Sequence, residues 1–143
     1  MFSDLFIGMG MVGVTTIIHA FFMVVGTQVT AQRWTSERRF TGHIAKAALI
    51  SVLTCWMFLA IVLEAWLWAL MYLYHPFNTI LLDLETALYF SMVTFTTVGY
   101  GDVVLTGAWR LLASIQAANG VIVFGWTTAL IFYYIQRIYQ NHD

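Results

Sequence analysis

The sequence predicts an all-α membrane protein with three transmembrane helices and, between the second and third, a short re-entrant helix ending in a glycine-bearing string. Three observations predict it. The 143 residues are 61% hydrophobic and only 9% charged, with a mean hydropathy of +0.80, whereas soluble domains carry about 25% charged residues. Three apolar stretches each exceed the roughly 20 helical residues that a hydrocarbon core about 30 Å thick requires. A fourth segment, from Asp83 to about Phe95, has a helical pattern too short to cross and runs directly into Thr96-Thr97-Val98-Gly99-Tyr100-Gly101-Asp102.

The first stretch runs roughly from Leu5 to Gly26. It has no positively charged leading segment and carries Asp4 instead, so it is expected to stay attached as a spanning helix rather than act as a cleaved leader. From Gln28 to His43, Trp34 and Phe40 stand among Arg33, Glu37, Arg38 and Arg39; this reads either as a short amphipathic turn at the interface or as a solvated connector. The second stretch runs roughly from Ile44 to Tyr74 and ends at His75-Pro76, because proline disfavours helical geometry in the residue before it. The third runs roughly from Trp109 to Tyr139. Each of these last two reaches about 45 Å at helical rise and must tilt or protrude. The chain divides into a first helix with its connector, 1–43, and a helix, short helix, string and helix unit, 44–143.

Of the six cations, Arg33, Arg38, Arg39 and Lys46 fall between or at the ends of the first two helices, and Arg137 closes the third. Those ends are expected on the cytoplasmic side, with the N-terminus and the loop outside. Asp4, Asp83, Glu85 and Asp102 then share the outer side with Arg110 alone, an acidic mouth that concentrates cations. A net charge of −1 gives no basic surface for nucleic acid. Cys55 is the one cysteine, and is read as a small packing residue within an apolar span. No nucleophile, base and orienting group converge in so little extramembrane sequence, so no enzyme is expected.

The string carries the chemistry. Gly99 and Gly101 lack Cβ and can take the left-handed conformations that turn successive carbonyls toward one axis. The carbonyls of Thr97, Val98, Gly99 and Tyr100, with the Thr97 hydroxyl, can then replace the hydration shell of K⁺, while Val98 and Tyr100 face outward. One chain supplies one wall, so closure calls for three further copies of itself. Non-spanning backbone at membrane depth is tolerated only against protein or water, which asks for the same neighbours. The negative end of the short helix dipole would help hold a cation in the centre.

The string, with the order helix, short helix, string, helix over roughly Ile44 to Tyr139, resembles the signature of tetrameric potassium channels, here of the prokaryotic pore-only kind with an extra N-terminal transmembrane helix. The resemblance implies a homotetramer in a bacterial inner membrane, with K⁺ ions in a filter formed by Thr96 to Asp102. It implies that Tyr89 and Phe90, standing where many members have two tryptophans, brace the filter, with the Tyr89 hydroxyl free to bond a neighbour's Tyr100. Val93 falls where some members carry a glutamate that shares a proton with the aspartate after the filter, so Asp102 is expected to lack that partner and to bond backbone or water. Gly120 and Gly125 resemble the hinge glycines of the inner helix, against the plainer reading that they permit tight packing.

Three polar residues inside spans ask for partners. Glu64, past the midpoint of the second stretch, is expected to pack against the short helix and be satisfied by Thr86, Thr94 or water, ionised or protonated, either as structural support or with a part in gating or filter coupling. His19, an ionisable group inside a span, reads either as a functional residue or, the reading favoured, as a neutral histidine bonded to a neighbouring helix. Of Gln116 and Asn119, Asn119 is the one expected to face a water-filled inner cavity. No span has the repeated arginines of a voltage sensor. Two other readings stand beside a K⁺ channel: a weakly selective cation channel of the same fold, and a non-conducting membrane subunit that docks a partner. An auxiliary subunit is left open.

Overall fold

Long runs of leucine, isoleucine, valine, alanine and aromatics, uninterrupted by proline, let each apolar stretch continue as one helix. The computed structural model describes residues 2–36, 43–75, 80–107 and 109–140, without the side chains of 31–36 and 138–140. The helices are α1 (Phe2–Ser36), α2 (His43–Tyr74), α3 (Leu84–Phe95) and α4 (Trp109–Gln140). Three are long and apolar enough to cross a membrane, over Phe2–Thr30, His43–Tyr74 and Trp109–Arg137. The 12-residue α3 is about 18 Å long at helical rise and is not.

The helix pairs read off their contacts. Gly8 lies against Leu112 and Ile115, Thr15 bonds Asn119 and Tyr134 bonds the Thr27 carbonyl, so α1 and α4 run parallel. His19 meets Glu64, and Trp56 donates its indole N–H to the Phe22 carbonyl at 2.9 Å, so α1 and α2 run antiparallel. α1 therefore lies along both α2 and α4, and its N-terminal end stands at the same end of the bundle as the loop between α3 and α4. α3 packs on α2 and α4.

Two apolar clusters hold the ends. Trp68, Tyr72, Leu81, Phe90, Phe95, Leu112 and Val123 gather α2, α3 and α4 near the loop. Leu53, Met57, Leu130 and Tyr134 join α2 and α4 at the far end, with Phe22 and Trp56 packed against them. In a bilayer the lipid tails are as apolar as leucine, so dispersion packing and interhelical hydrogen bonds hold these contacts rather than exclusion from water.

Two expectations are corrected. The segment after Gly26 is not a connector from Gln28 onward: α1 stays helical through Ser36, because nothing before that point removes a backbone N–H. Cys55 does not pack within the bundle but is exposed on α2. Pro76, residues 37–42 and the side chain of Arg33 lie outside the described residues, and with them Arg38, Arg39 and the predicted turn around Phe40.

Candidate functional site: the loop after α3 and its supports

Asp83 starts α3. Its carboxylate accepts from the Thr86 backbone N–H at 2.8 Å and from the Thr86 hydroxyl at 2.8 Å, which satisfies one orphan donor of the first turn. Those two bonds, the backbone one foremost, hold the carboxyl below the usual carboxylate range. Glu85 adds negative charge in the same turn, where the helix dipole favours it.

The last turn of α3 carries the loop. Thr97 N–H reaches the Thr94 carbonyl at 3.0 Å, while Val98 and Gly99 share the Val93 carbonyl at 3.0 and 3.3 Å. Beyond this anchor the backbone departs from ordinary geometry: φ is +62° at Thr97, +54° at Gly99 and +82° at Gly101. The intervening Val98 and Tyr100 have negative φ. Every second residue is thus left-handed, and alternation of this kind brings successive carbonyls to one side of the chain. The glycines were legible in the sequence, but Thr97 was not, since a β-branched residue in this region costs on the order of 1–3 kcal/mol. Such strain persists where surrounding bonds over-determine it, and here the Val93 and Thr94 carbonyls flank it.

Val98 is 53% exposed and Tyr100 73%, large side chains left open by a single chain. Tyr89 is not directed to Tyr100. Its hydroxyl donates to Asp102 Oδ2 at 2.6 Å, tying α3 to the end of the loop. Asp102 therefore has a side-chain partner that the sequence reading did not assign. The bond from Tyr89 holds the Asp102 carboxyl below its ordinary range, and the same bond raises Tyr89 above that of a free tyrosine. Phe90 turns the other way, edge-on to Tyr72 at 5.3 Å. Behind the loop, Tyr89, Phe90, Val93, Thr94, Asp102 and Arg110 contribute to the wall of a cavity of about 280 Å³.

A buried polar chain links α3 to both long helices that flank it. Ser91 donates to the Ala65 carbonyl at 2.6 Å, Gln116 Nε2 donates to Ser91 Oγ at 2.8 Å, and Tyr72 donates to Gln116 Oε1 at 3.0 Å. Of these three side chains, the sequence reading had weighed only Gln116. The signal was there: polar groups within apolar helices, each needing a partner away from water.

Gly120 lies where α4 meets the end of α3. A Cβ at this position would collide with the Phe95 carbonyl oxygen, so its role is close backbone approach, and α4 runs through it and Gly125 as one unbroken helix. A Cβ on Gly125 would meet nothing within 4 Å. Asn119 does not face an inner cavity. It is 1% exposed and donates to Thr15 Oγ1 at 2.7 Å, because it stands on the stripe of α4 that α1 covers. Gln116, turned instead to Ser91 and Tyr72, is equally enclosed.

Glu64 is also corrected. Neither Thr86, which serves Asp83, nor Thr94 is its partner. His19 is: Nδ1 lies 3.0 Å from Glu64 Oε1, and the other ring nitrogen lies 3.1 Å from Thr127 Oγ1. Glu64 thus supports the junction of the long helices rather than the loop directly.

A family model described as "Ion channel" matches residues 49–137. No curated protein and no solved structure matches the chain. The matched stretch takes in most of α2, all of α3, the Thr96 to Asp102 loop and most of α4, and leaves α1 outside it. With its two flanking helices and the loop between them inside that match, this chain belongs to the ion channel family.

Proposed function

We propose that the chain is the subunit of a K⁺-selective channel, a homotetramer in which four Thr96 to Asp102 loops surround one axis. The observation that carries this reading is the alternation of left-handed residues at 97, 99 and 101. Carbonyls of Thr97, Val98, Gly99 and Tyr100 facing one side, repeated four times, offer a dehydrated cation a cage of oxygens in place of its water. α3 is then the pore helix, Thr96 to Asp102 the filter, and α4 the inner helix. Its covered stripe faces α1 and α2, which leaves the opposite stripe, with Gly125, for the conduction path and the neighbouring subunits. The exposed Val98 and Tyr100 are supplied with neighbours by the same assembly.

Transport is passive flow down the electrochemical gradient. The distribution of cations in the sequence sets the loop and N-terminus outside and the C-terminal end of α4 in the cytoplasm. Asp83, Glu85 and Asp102 then line the outer approach and attract cations.

One observation favours a weakly selective variant: Tyr89 is engaged by Asp102 and Phe90 by Tyr72, so neither ring is committed to Tyr100. Flux from liposomes containing the purified protein, with K⁺, Na⁺ and Ba²⁺ in one assay, tests the proposal. K⁺ flux that is blocked by Ba²⁺ and exceeds Na⁺ flux many-fold is expected. Equal K⁺ and Na⁺ flux would select the variant, and no flux from a confirmed tetramer would overturn both.

A further inference from the structure

Between Asp4 and Arg33, α1 carries one ionisable side chain, His19. It is fully buried, and so is Glu64, the group that faces it from α2. On α2 the nearest titratable neighbours along the helix are Cys55, which is exposed, and Tyr72, which is bonded to Gln116. α4 contributes Thr127 at 3.1 Å from His19 and has no carboxylate, imidazole or amine between Arg110 and Arg137. Its Tyr134 lies about two turns further along and is bonded to the Thr27 carbonyl. Among the described residues, α3 has no backbone beside α1. Among the described residues, no third charged group therefore compensates the pair.

The second carboxylate oxygen decides the protonation. Glu64 Oε2 is buried and, among the described residues, has no hydrogen-bond partner. An ionised carboxylate with a bare oxygen at membrane depth is strongly disfavoured. A proton on Oε2 removes that charge and leaves both observed contacts intact: His19 Nδ1–H donates to Oε1, and the Thr127 hydroxyl donates to Nε2. Losing the proton to water leaves a charge of −1 on the pair. Gaining another leaves +1. Of these charge states, only the neutral one suits an enclosed, dry site.

We infer that His19 and Glu64 form a proton-binding site at the junction of α1, α2 and α4, holding one proton on Glu64 Oε2 while α1 is docked, and that loss of this proton releases α1. The released charge is relieved only by opening the junction to water. Opening frees Thr127 on α4 and disturbs α2 next to Ala65, whose carbonyl takes the Ser91 hydroxyl of α3. Resting on the channel reading above, conduction through α3 and α4 then depends on pH through a helix that lies outside the matched channel segment.

The test uses the purified full chain. Infrared spectra are expected to show a protonated carboxylic C=O band at neutral pH that Glu64→Gln removes and that rising pH removes from the wild type. Labelling with ¹³C-carboxyl glutamate reads the same band without substitution, since Glu37 and Glu85 are the other glutamates. The wild-type melting temperature should fall, and liposome K⁺ flux should change several-fold, over the pH range in which the band disappears. Glu64→Gln should flatten both profiles. Absence of the band at neutral pH, or identical melting profiles in wild type and Glu64→Gln, would overturn the inference. Absence of K⁺ flux from every protein would overturn the channel reading alone, with the band and the melting profile still judging the proton site.

Discussion

The Tyr89 hydroxyl reaches Asp102 Oδ2 at 2.6 Å, closing a ring that runs down α3, through the loop and back to the same helix. α3 and the two ends of the loop are thus tied together. Asp102 is lowered by this bond, so its contribution is present above the ordinary aspartate range and is lost as pH falls through the lowered value. Tyr89 is raised, so its proton is still in place where a free tyrosine would begin to ionise, and the contribution is lost as pH rises through the raised value. Tyr89→Phe should shift the Asp102 carboxyl titration upward, measured by ¹³C NMR, and should make K⁺ flux fall at a higher pH on acidification than in wild type.

Gly120 and Gly125 should separate cleanly. Gly120→Ala places a methyl against the Phe95 backbone and should destabilise the assembly by roughly 1–3 kcal/mol or more, as overpacking does. Gly125→Ala meets open space and should be neutral or stabilising by up to about 1 kcal/mol through helix propensity. Thermal unfolding of the two variants in one detergent checks the contrast, and equal melting temperatures would remove the close-approach role of Gly120.

The Asn119–Thr15 bond joins α4 to α1 and should be worth about 0.6 kcal/mol, up to roughly 1.7, as measured for interhelical bonds in membranes. A double-mutant cycle of Asn119→Ala and Thr15→Val reads the coupling. An Asn119→Asp variant should lose stability without changing the affinity of an intracellular cation blocker, because this side chain is enclosed between α4 and α1.

At Gly99 the obstacle to substitution is conformation, not space: φ is +54° and nothing lies within 4 Å of an added Cβ. Gly99→Ala should therefore cost about 1–2 kcal/mol per chain from the left-handed backbone alone. K⁺ flux should be lost while circular dichroism shows an unchanged helix content.

Much of the architecture was written in local pattern. Spanning helices are set by length and hydropathy, which is why the starts predicted for the last two spans fall within one residue of α2 and α4. α3 was legible because Asp83 and Glu85 mark a helix start and Phe95 precedes a string that cannot continue one. Gly99 and Gly101 announced left-handed backbone because no other residue takes it without strain. Partnerships between side chains were not legible. Glu64 was sent to α3 and Asn119 to a cavity, since a sequence shows that a buried polar group needs a partner but not which helix will cover it. That depends on the rotation of α1 against α2 and α4, fixed by the packing of side chains far apart in the chain, and it brought His19 to Glu64 across 45 positions. The sequence by itself determined which segments span and where the backbone must turn left-handed; tertiary packing alone decided which polar groups meet, because hydrogen bonds in a dry interior answer to distance in space.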